Sequence, residues 1–337
     1  MAVAPSIVVN TQARTSLAVL PTPLLPAPRL ANALGITGPL LVKRDDLTGF
    51  AVAGNKARQL EFLVAEANAD GADLLVTGGA ASSNFVQAAA AAAAHAGLAC
   101  IVVIAGAPAG RGFHPNLAAA HAWGAEIHWT GLAERSSVDD MLPVVAAQAQ
   151  ARGLRPYVVP RGGANATGAM GYRFAADELL GQLDGWEHWK HWEFEATRPT
   201  VVIATGAGGT LAGLVAGIVA RGRPLRVVGA SVSRSPDDVR ARVLDLAQQV
   251  ARRNGEEQPV ESDVEIVDAR GPGHGVASPE GTTAAWAALR SEGLVLDPVY
   301  TAKALAALPS IAGGAPTIFW HTGGLLDAVA GFLCEQP

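Results

Sequence analysis

Cysteine is nearly absent from this chain: only Cys100 and Cys334 occur among 337 residues. That excludes a disulfide scaffold and favours a reducing compartment. Charge is also sparse, at 16% Asp, Glu, Lys and Arg, with a net charge of −5. No basic stripe is present, and His, Lys and Arg are scattered along the chain, so nucleic acid is not an expected partner. No apolar run reaches membrane-spanning length, and the first residues lack the charged, apolar and small-residue succession of a signal peptide. The expectation is a soluble cytoplasmic protein that does not contact a membrane. Half of the residues are hydrophobic, enough for a large core shared between two domains.

The stretch from Val42 to Leu63, VKRDDLTGFAVAGNKARQLEFL, organises what is present. It leaves a short apolar run, passes two acids and two glycines, and delivers Lys56 into an amphipathic helix. Leu60, Leu63 and Val64 share one face of that helix, while Arg58, Gln59 and Glu61 point elsewhere. A lysine at such a helix mouth can be desolvated, which lowers its pKa and frees a neutral amine to attack a carbonyl. An exposed first-turn lysine is the ordinary alternative.

Around it, short apolar runs alternate with helical stretches. Strands are expected at Leu40 to Lys43, Leu74 to Thr77, Ile101 to Ile104, Glu126 to Trp129 and Tyr157 to Val159. Further strands follow at Val201 to Ala204, Val227 to Val232, Val264 to Val267 and Thr317 to Trp320. Helices fill the gaps, among them an alanine-rich one ending near His95 and others over Val138 to Arg152, Gly168 to Leu183, Leu211 to Ala220 and Gly281 to Ser291. This rhythm implies βαβ units and mainly parallel sheets. The segment from Gly185 to Pro199 interrupts it and reads as a surface loop or dimer-contact insertion. His188 and His191 lie three apart there, but no further ligand is near and no metal is expected.

Five other motifs carry chemistry. In VVIATGAGGTLAGL (Val201 to Leu214), a strand runs into glycines 206, 208 and 209, and Thr210 opens a helix. Free backbone N–H groups and a helix N-terminus make a cradle for an anion. A mere strand–helix turn is the bland reading. A dinucleotide fold fits poorly, because Leu211 stands where the third small residue belongs and no acid ends the next strand. Ser82, Ser83 and Asn84 follow a Gly-Gly pair and read as helix caps on physical grounds alone. GPGHG (Gly271 to Gly275) carries His274, alternatively a simple turn residue. LDPVYTAKAL (Leu296 to Leu305) carries Tyr300, and TIFWHTGGLLD (Thr317 to Asp327) carries Thr322.

Taken together with PRGGANATGAMGY (Pro160 to Tyr172), these motifs keep an order that resembles the D-cysteine desulfhydrase / 1-aminocyclopropane-1-carboxylate (ACC) deaminase family over about Pro21 to Leu326. The resemblance implies pyridoxal 5'-phosphate as cofactor, carried by Lys56 as a Schiff base. It also implies two open α/β domains of the fold type II pyridoxal-phosphate enzymes, with the cofactor in the cleft between them. The large domain would combine residues 1–58 and 169–337, and a small domain would be inserted at 59–168. Thr205, Gly206, Ala207, Gly208, Gly209 and Thr210 would hold the cofactor phosphate, and Thr322 would lie by the pyridine nitrogen. Ser82, with neighbouring helix-start N–H groups, would grip the carboxylate of a small amino-acid substrate.

The chain departs from the family at two places. The family asparagine that meets the cofactor's phenolic oxygen aligns with Ser83, leaving Asn84 beside it as a substitute. His274 stands where the first of two active-site tyrosines is expected; Tyr300 matches the second. Ser83, Asn84, His274 and Tyr300 are therefore the expected selectivity positions. Thr301 and Thr322 follow the desulfhydrase branch rather than the deaminase branch. The resemblance implies α,β-elimination by a homodimeric lyase, with Lys56 as base and Tyr300 or His274 as proton donor. ACC deamination, β-replacement and a cofactor-binding protein without robust turnover are the alternatives.

Overall fold

The computed structural model describes residues 14–108, 114–186 and 198–333. Its strands are β1 (Leu24–Pro26), β2 (Leu40–Arg44), β3 (Leu74–Gly79), β4 (Ala99–Ile104), β5 (Glu126–Trp129), β6 (Pro156–Val158), β7 (Thr200–Thr205), β8 (Arg226–Ser231), β9 (Glu265–Asp268) and β10 (Thr317–His321). The helices are α1 (Pro28–Ala33), α2 (Lys56–Ala69), α3 (Asn84–His95), α4 (Pro115–Ala122), α5 (Ser137–Ala151), α6 (Ala166–Asp184), α7 (Gly209–Ala220), α8 (Pro236–Asn254), α9 (Pro279–Glu292), α10 (Thr301–Ile311) and α11 (Leu325–Ala328).

Two sheets result, in the orders β1-β2-β10-β7-β8-β9 and β5-β4-β3-β6. Every pairing is parallel except β1 with β2. Parallel sheets need helices on both faces, so their central strands lose the polar alternation of a half-wet sheet. β3 illustrates this, with all six residues buried. The α/β alternation expected from the sequence is present, and its elements agree to within two residues at their ends. The chain thus has the fold type II arrangement, each sheet with its own core. The histidines at 188 and 191, and Cys334, lie outside the described residues. Among those residues no group of acids, histidines and cysteines could hold a metal, and no helix is long and apolar enough to cross a membrane.

Three helices were not anticipated, the four-residue α11 and two longer ones. α8 has Ser235 capping Asp238 N–H, Pro236 in its first turn and Gly255 at a left-handed C-terminus. Val239, Val243, Leu246, Ala247 and Val250 form its buried stripe. These are complete start, stop and periodicity signals. α10 begins directly at the Tyr300 motif and carries Pro309 in its interior.

The expectation for α2 also needs correction. Its polar residues are as buried as its apolar face, with Arg58 and Glu61 2% exposed and Gln59 fully enclosed. The reason is position: α2 runs between α3 and α6, so no side of it from Ala57 to Val64 meets water. Glu61 is satisfied by the N–H groups of Leu17 and Ala18, each at 3.0 Å. A Cβ added to Gly171 on α6 would stand 2.1 Å from the Arg58 carbonyl oxygen, so α6 approaches α2 backbone to backbone.

Arg58 is held between two acids. Its Nε and Nη2 donate to Asp45, both at 2.9 Å, and its Nη1 and Nη2 donate to Glu178 at 2.9 and 2.8 Å. Lys43 also bonds Glu178, and the Tyr172 hydroxyl donates to Asp45. Burial alone would raise the Asp45 pKa. The Arg58 charge and the hydrogen bonds from Arg58 and Tyr172 outweigh that and leave it lowered.

Removing one partner of such a buried pair costs about 3–5 kcal/mol. Arg58→Met should lower the unfolding free energy in urea by that amount; a loss below about 1 kcal/mol would contradict this account of the pair. The lowered Asp45 pKa gives stability that is present above the unfolded carboxyl value near ~4 and lost as pH falls through the folded value.

Candidate active site

The strand ends of both sheets face one cleft of about 230 Å³, the place where open α/β folds bind ligands. α2 enters it through a tight turn. Gly54 has φ +53°, and a Cβ there would lie 2.5 Å from the Thr322 carbonyl oxygen. That carbonyl accepts the Asn55 N–H at 2.9 Å, and the Asn55 side chain donates to Thr210 Oγ1 at 3.1 Å. The first turn of α2 is thereby tied to the loop after β10 and to the first turn of α7. Lys56 lines the cleft, and among the described residues its amine has neither hydrogen bond nor ion pair. Burial lowers its pKa to about 8, so a useful fraction is neutral near neutrality.

Thr205, Gly206, Ala207, Gly208, Gly209 and Thr210 form the opposite wall. Gly208 has φ +96°, which reverses the chain into α7 at a position that favours glycine. None of the N–H groups from Gly206 to Thr210 has a backbone acceptor, and the positive end of α7 reinforces them. Gln59, one helical turn beyond Lys56, completes this wall. Its amide lies against Gly209, where a Cβ would be 3.0 Å from Gln59 Nε2. Both polar atoms of that buried amide lack partners. Such groups cost about 1–3 kcal/mol when left unpaired, so this amide calls for a ligand.

On the small-sheet side, Ser82, Ser83 and Asn84 line the cleft at the start of α3. Ser83 Oγ accepts from Val86 N–H at 3.4 Å, as a helix cap. Asn84 also reaches Asp327, a carboxyl that burial raises to about 7 and that the Asn84 amide partly holds back.

Tyr300 and His274 are brought together from separate loops, with the Tyr300 hydroxyl 3.3 Å from His274 Nε2. Burial pushes Tyr300 up to about 12. Burial, then the charges of Arg135 and Lys303, bring His274 down to about 4. Near neutral pH the histidine is therefore uncharged and accepts, while the tyrosine holds the proton. Lys303 on α10 fixes the histidine loop by donating to the carbonyls of Arg270 and Gly273, both at 2.7 Å.

Every expected site residue thus lines the same cleft. Thr301 does not: it is fully buried and bonds Asp297 Oδ2 at 2.6 Å, which locks the turn that presents Tyr300. Thr322 alone of the two threonines faces the cleft. The sequence reading missed Gln59 and, more importantly, the arginines. Scattered along the chain, Arg135, Arg161, Arg234 and Arg242 converge on the cleft with only Asp139 as an acidic companion.

Known proteins bear directly on this geometry. Residues 15–323 match the model of a family described as pyridoxal-phosphate dependent enzyme. A D-cysteine desulfhydrase of Klebsiella pneumoniae (strain 342) is 37% identical over 321 residues, covering 92% of this chain and 94% of that protein. A crystal structure described as an ACC deaminase homologue superposes with a TM-score of 0.82 at 31% identity, covering 94% of this chain and 93% of that one. The residues fit the family's cofactor: a backbone cradle and an orphaned amide for its phosphate, and a desolvated lysine for its aldehyde. The chain therefore belongs to the pyridoxal-phosphate dependent enzymes, with pyridoxal 5'-phosphate as its cofactor.

Proposed function

We propose that the protein is a lyase that removes the α-proton and the β-substituent of a small amino acid, as a D-cysteine desulfhydrase does, giving pyruvate, ammonia and the leaving group. One observation carries this reading: Lys56, Tyr300 and His274 share one cleft with their proton affinities drawn far apart, to about 8, 12 and 4. Titratable groups separated in this way are how one site runs acid and base chemistry at a single pH. The 37% identity to a desulfhydrase supports the same reading.

When bound, pyridoxal phosphate withdraws electrons from the Cα of the amino acid it holds. Lys56 is the covalent anchor and, once released, the base that takes the Cα proton on its Nζ. Gly206 to Thr210 and Gln59 hold the phosphate, with Thr205 leading into the loop. Thr322, which lines the cleft, would face the ring nitrogen and, as a neutral hydroxyl, would leave it without a strong proton source. That suits loss of a β-leaving group better than opening of an unactivated cyclopropane. Ser82 and the first N–H groups of α3 orient the substrate carboxylate. Ser83, whose oxygen accepts from Val86 N–H while its proton stays free, and Asn84, whose amide reaches Asp327, are the two candidates for the phenolic oxygen. The Tyr300 hydroxyl donates the proton to the leaving group, and His274 positions it as acceptor. A division into 1–58 with 169–337 and 59–168, a homodimer and a cytoplasmic location complete the proposal.

The purified protein should be yellow, lose its band on borohydride reduction, and release sulfide and pyruvate from D-cysteine. ACC, tested alongside, should be turned over far more slowly. Lys56→Ala should abolish turnover; activity retained in that variant would refute the scheme. Loading of the cofactor-free protein should speed up ~tenfold between pH 7 and pH 9, as the neutral fraction of an amine of pKa about 8 rises. Gln59→Leu should weaken cofactor binding by about 10–100-fold without lowering the melting temperature of the cofactor-free protein, since it removes an unpaired buried amide. A fall in melting temperature with unchanged cofactor affinity would assign Gln59 a purely structural role.

A further inference from the structure

Elimination from a neutral amino acid leaves the arginines of the cleft unexplained. Two of the four are engaged within the chain. Arg161 Nε donates to Asp139 at 2.7 Å, and Arg242 Nε donates to the Ala207 carbonyl at 2.8 Å, against the phosphate loop. Arg135, just before α5, and Arg234, just before α8, are half-buried. Among the described residues neither guanidinium has a hydrogen bond or an ion pair.

Their surroundings are unfavourable to charge. Burial, then the charges of Arg242, Arg161 and Arg135, lower the Arg234 pKa. Burial likewise lowers Arg135, with Arg161 adding to it. Asp139, whose charge reaches both, is hydrogen-bonded to Arg161 instead; two partly desolvated cations near each other and bonded to no acid are a binding site for an anion rather than a stabilising feature. The cofactor phosphate is already served by the loop N–H groups, the end of α7 and Gln59. Arg135 lies elsewhere: its charge acts on both Tyr300 and His274, the pair assigned to the departing group.

We infer that Arg135 and Arg234 form a subsite for an oxyanion on the substrate's β-substituent, so that the preferred substrates are amino acids whose leaving group is itself acidic, a sulfonate or a phosphate on Cβ. This rests on the elimination reading above and narrows its substrate class. The chemistry balances without an oxidant or reductant. The Cα–H bond breaks with its proton going to Lys56, the Cβ–X bond breaks with its electron pair leaving on X, and water completes the hydrolysis to pyruvate and ammonia.

The test compares the holoenzyme with its Arg135→Gln and Arg234→Gln variants on D- and L-cysteine, D- and L-cysteate and O-phosphoserine. Turnover and the substrate-induced shift of the cofactor's visible band are both read. The wild type should prefer at least one anionic substrate over cysteine in kcat/KM. Each variant should lower the anionic-to-neutral ratio by about tenfold or more, mainly through KM, as expected for loss of a charge-assisted hydrogen bond. Which anionic substrate responds identifies the oxyanion. Equal losses on neutral and anionic substrates would overturn the inference. So would a tenfold weaker affinity for pyridoxal phosphate in the variants, which would reassign the arginines to the cofactor. If no amino acid is turned over, the elimination reading fails, and the subsite is judged by the band shift alone. Anionic amino acids acting at tenfold lower concentration than neutral ones, with that advantage lost in the variants, would uphold it; no such advantage would refute it.

Discussion

Arg58 lies in a dry pocket between Asp45 and Glu178, two residues beyond the lysine at the mouth of the cleft. Because Lys56 and Arg58 share the first turn of α2, whatever fixes one orients the other. Asp45 follows β2 directly, and Glu178 projects from α6, so the guanidinium joins the end of a strand to two helices. A flexible lysine chain needs such a base if its amine is to stand in one place. A hydrophobic anchor would hold the helix as tightly but would tolerate small rotations, whereas a planar fork bonded on both sides resists them. The Gly171 contact with the Arg58 carbonyl adds a steric limit from the α6 side.

The same low-dielectric interior sorts the proton carriers. Burial moves an amine and an imidazole down and a phenol up, so one cause yields three different outcomes in Lys56, His274 and Tyr300. Asp297 and Asp327 add to the rise of the phenol. With its pKa lowered, His274 is uncharged near neutrality and stands as an acceptor beside the Tyr300 hydroxyl. Arg135 acts on both in the same direction, lowering the histidine further and opposing the rise of the tyrosine.

Local signals were legible in the sequence, and convergent ones were not. Short apolar runs and glycine turns mark the parallel sheets because strand and helix periodicities differ. The phosphate loop is readable because its glycines, strand and helix start are contiguous. Arg135, Arg161, Arg234 and Arg242 sit in four separate connections or helices, and only the fold brings them to one cleft, so their scatter along the chain was read as scatter in space. Gln59 and Arg58 looked like solvent-side residues because helical periodicity identifies an apolar face but cannot tell whether the other face is covered too. Thr301 marked the desulfhydrase branch beside Thr322, yet only the fold tells the two apart, because consecutive side chains in a helix's first turn point in different directions and Thr301 is turned into the core. The pattern of α8 was complete in the sequence; nothing physical hid it.

β10 has a consequence for how the protein is made. It lies between β2 and β7, pairing with both along four or more residues, although those strands are translated far earlier. The carbonyl of Thr322, just beyond it, also closes the turn that delivers Lys56. A nascent chain that has not yet released residues 317–322 from the ribosome therefore has a gap in the middle of its larger sheet and an unanchored lysine. A chain lacking residues 317–322 has the lysine without the strand and the carbonyl that hold its turn.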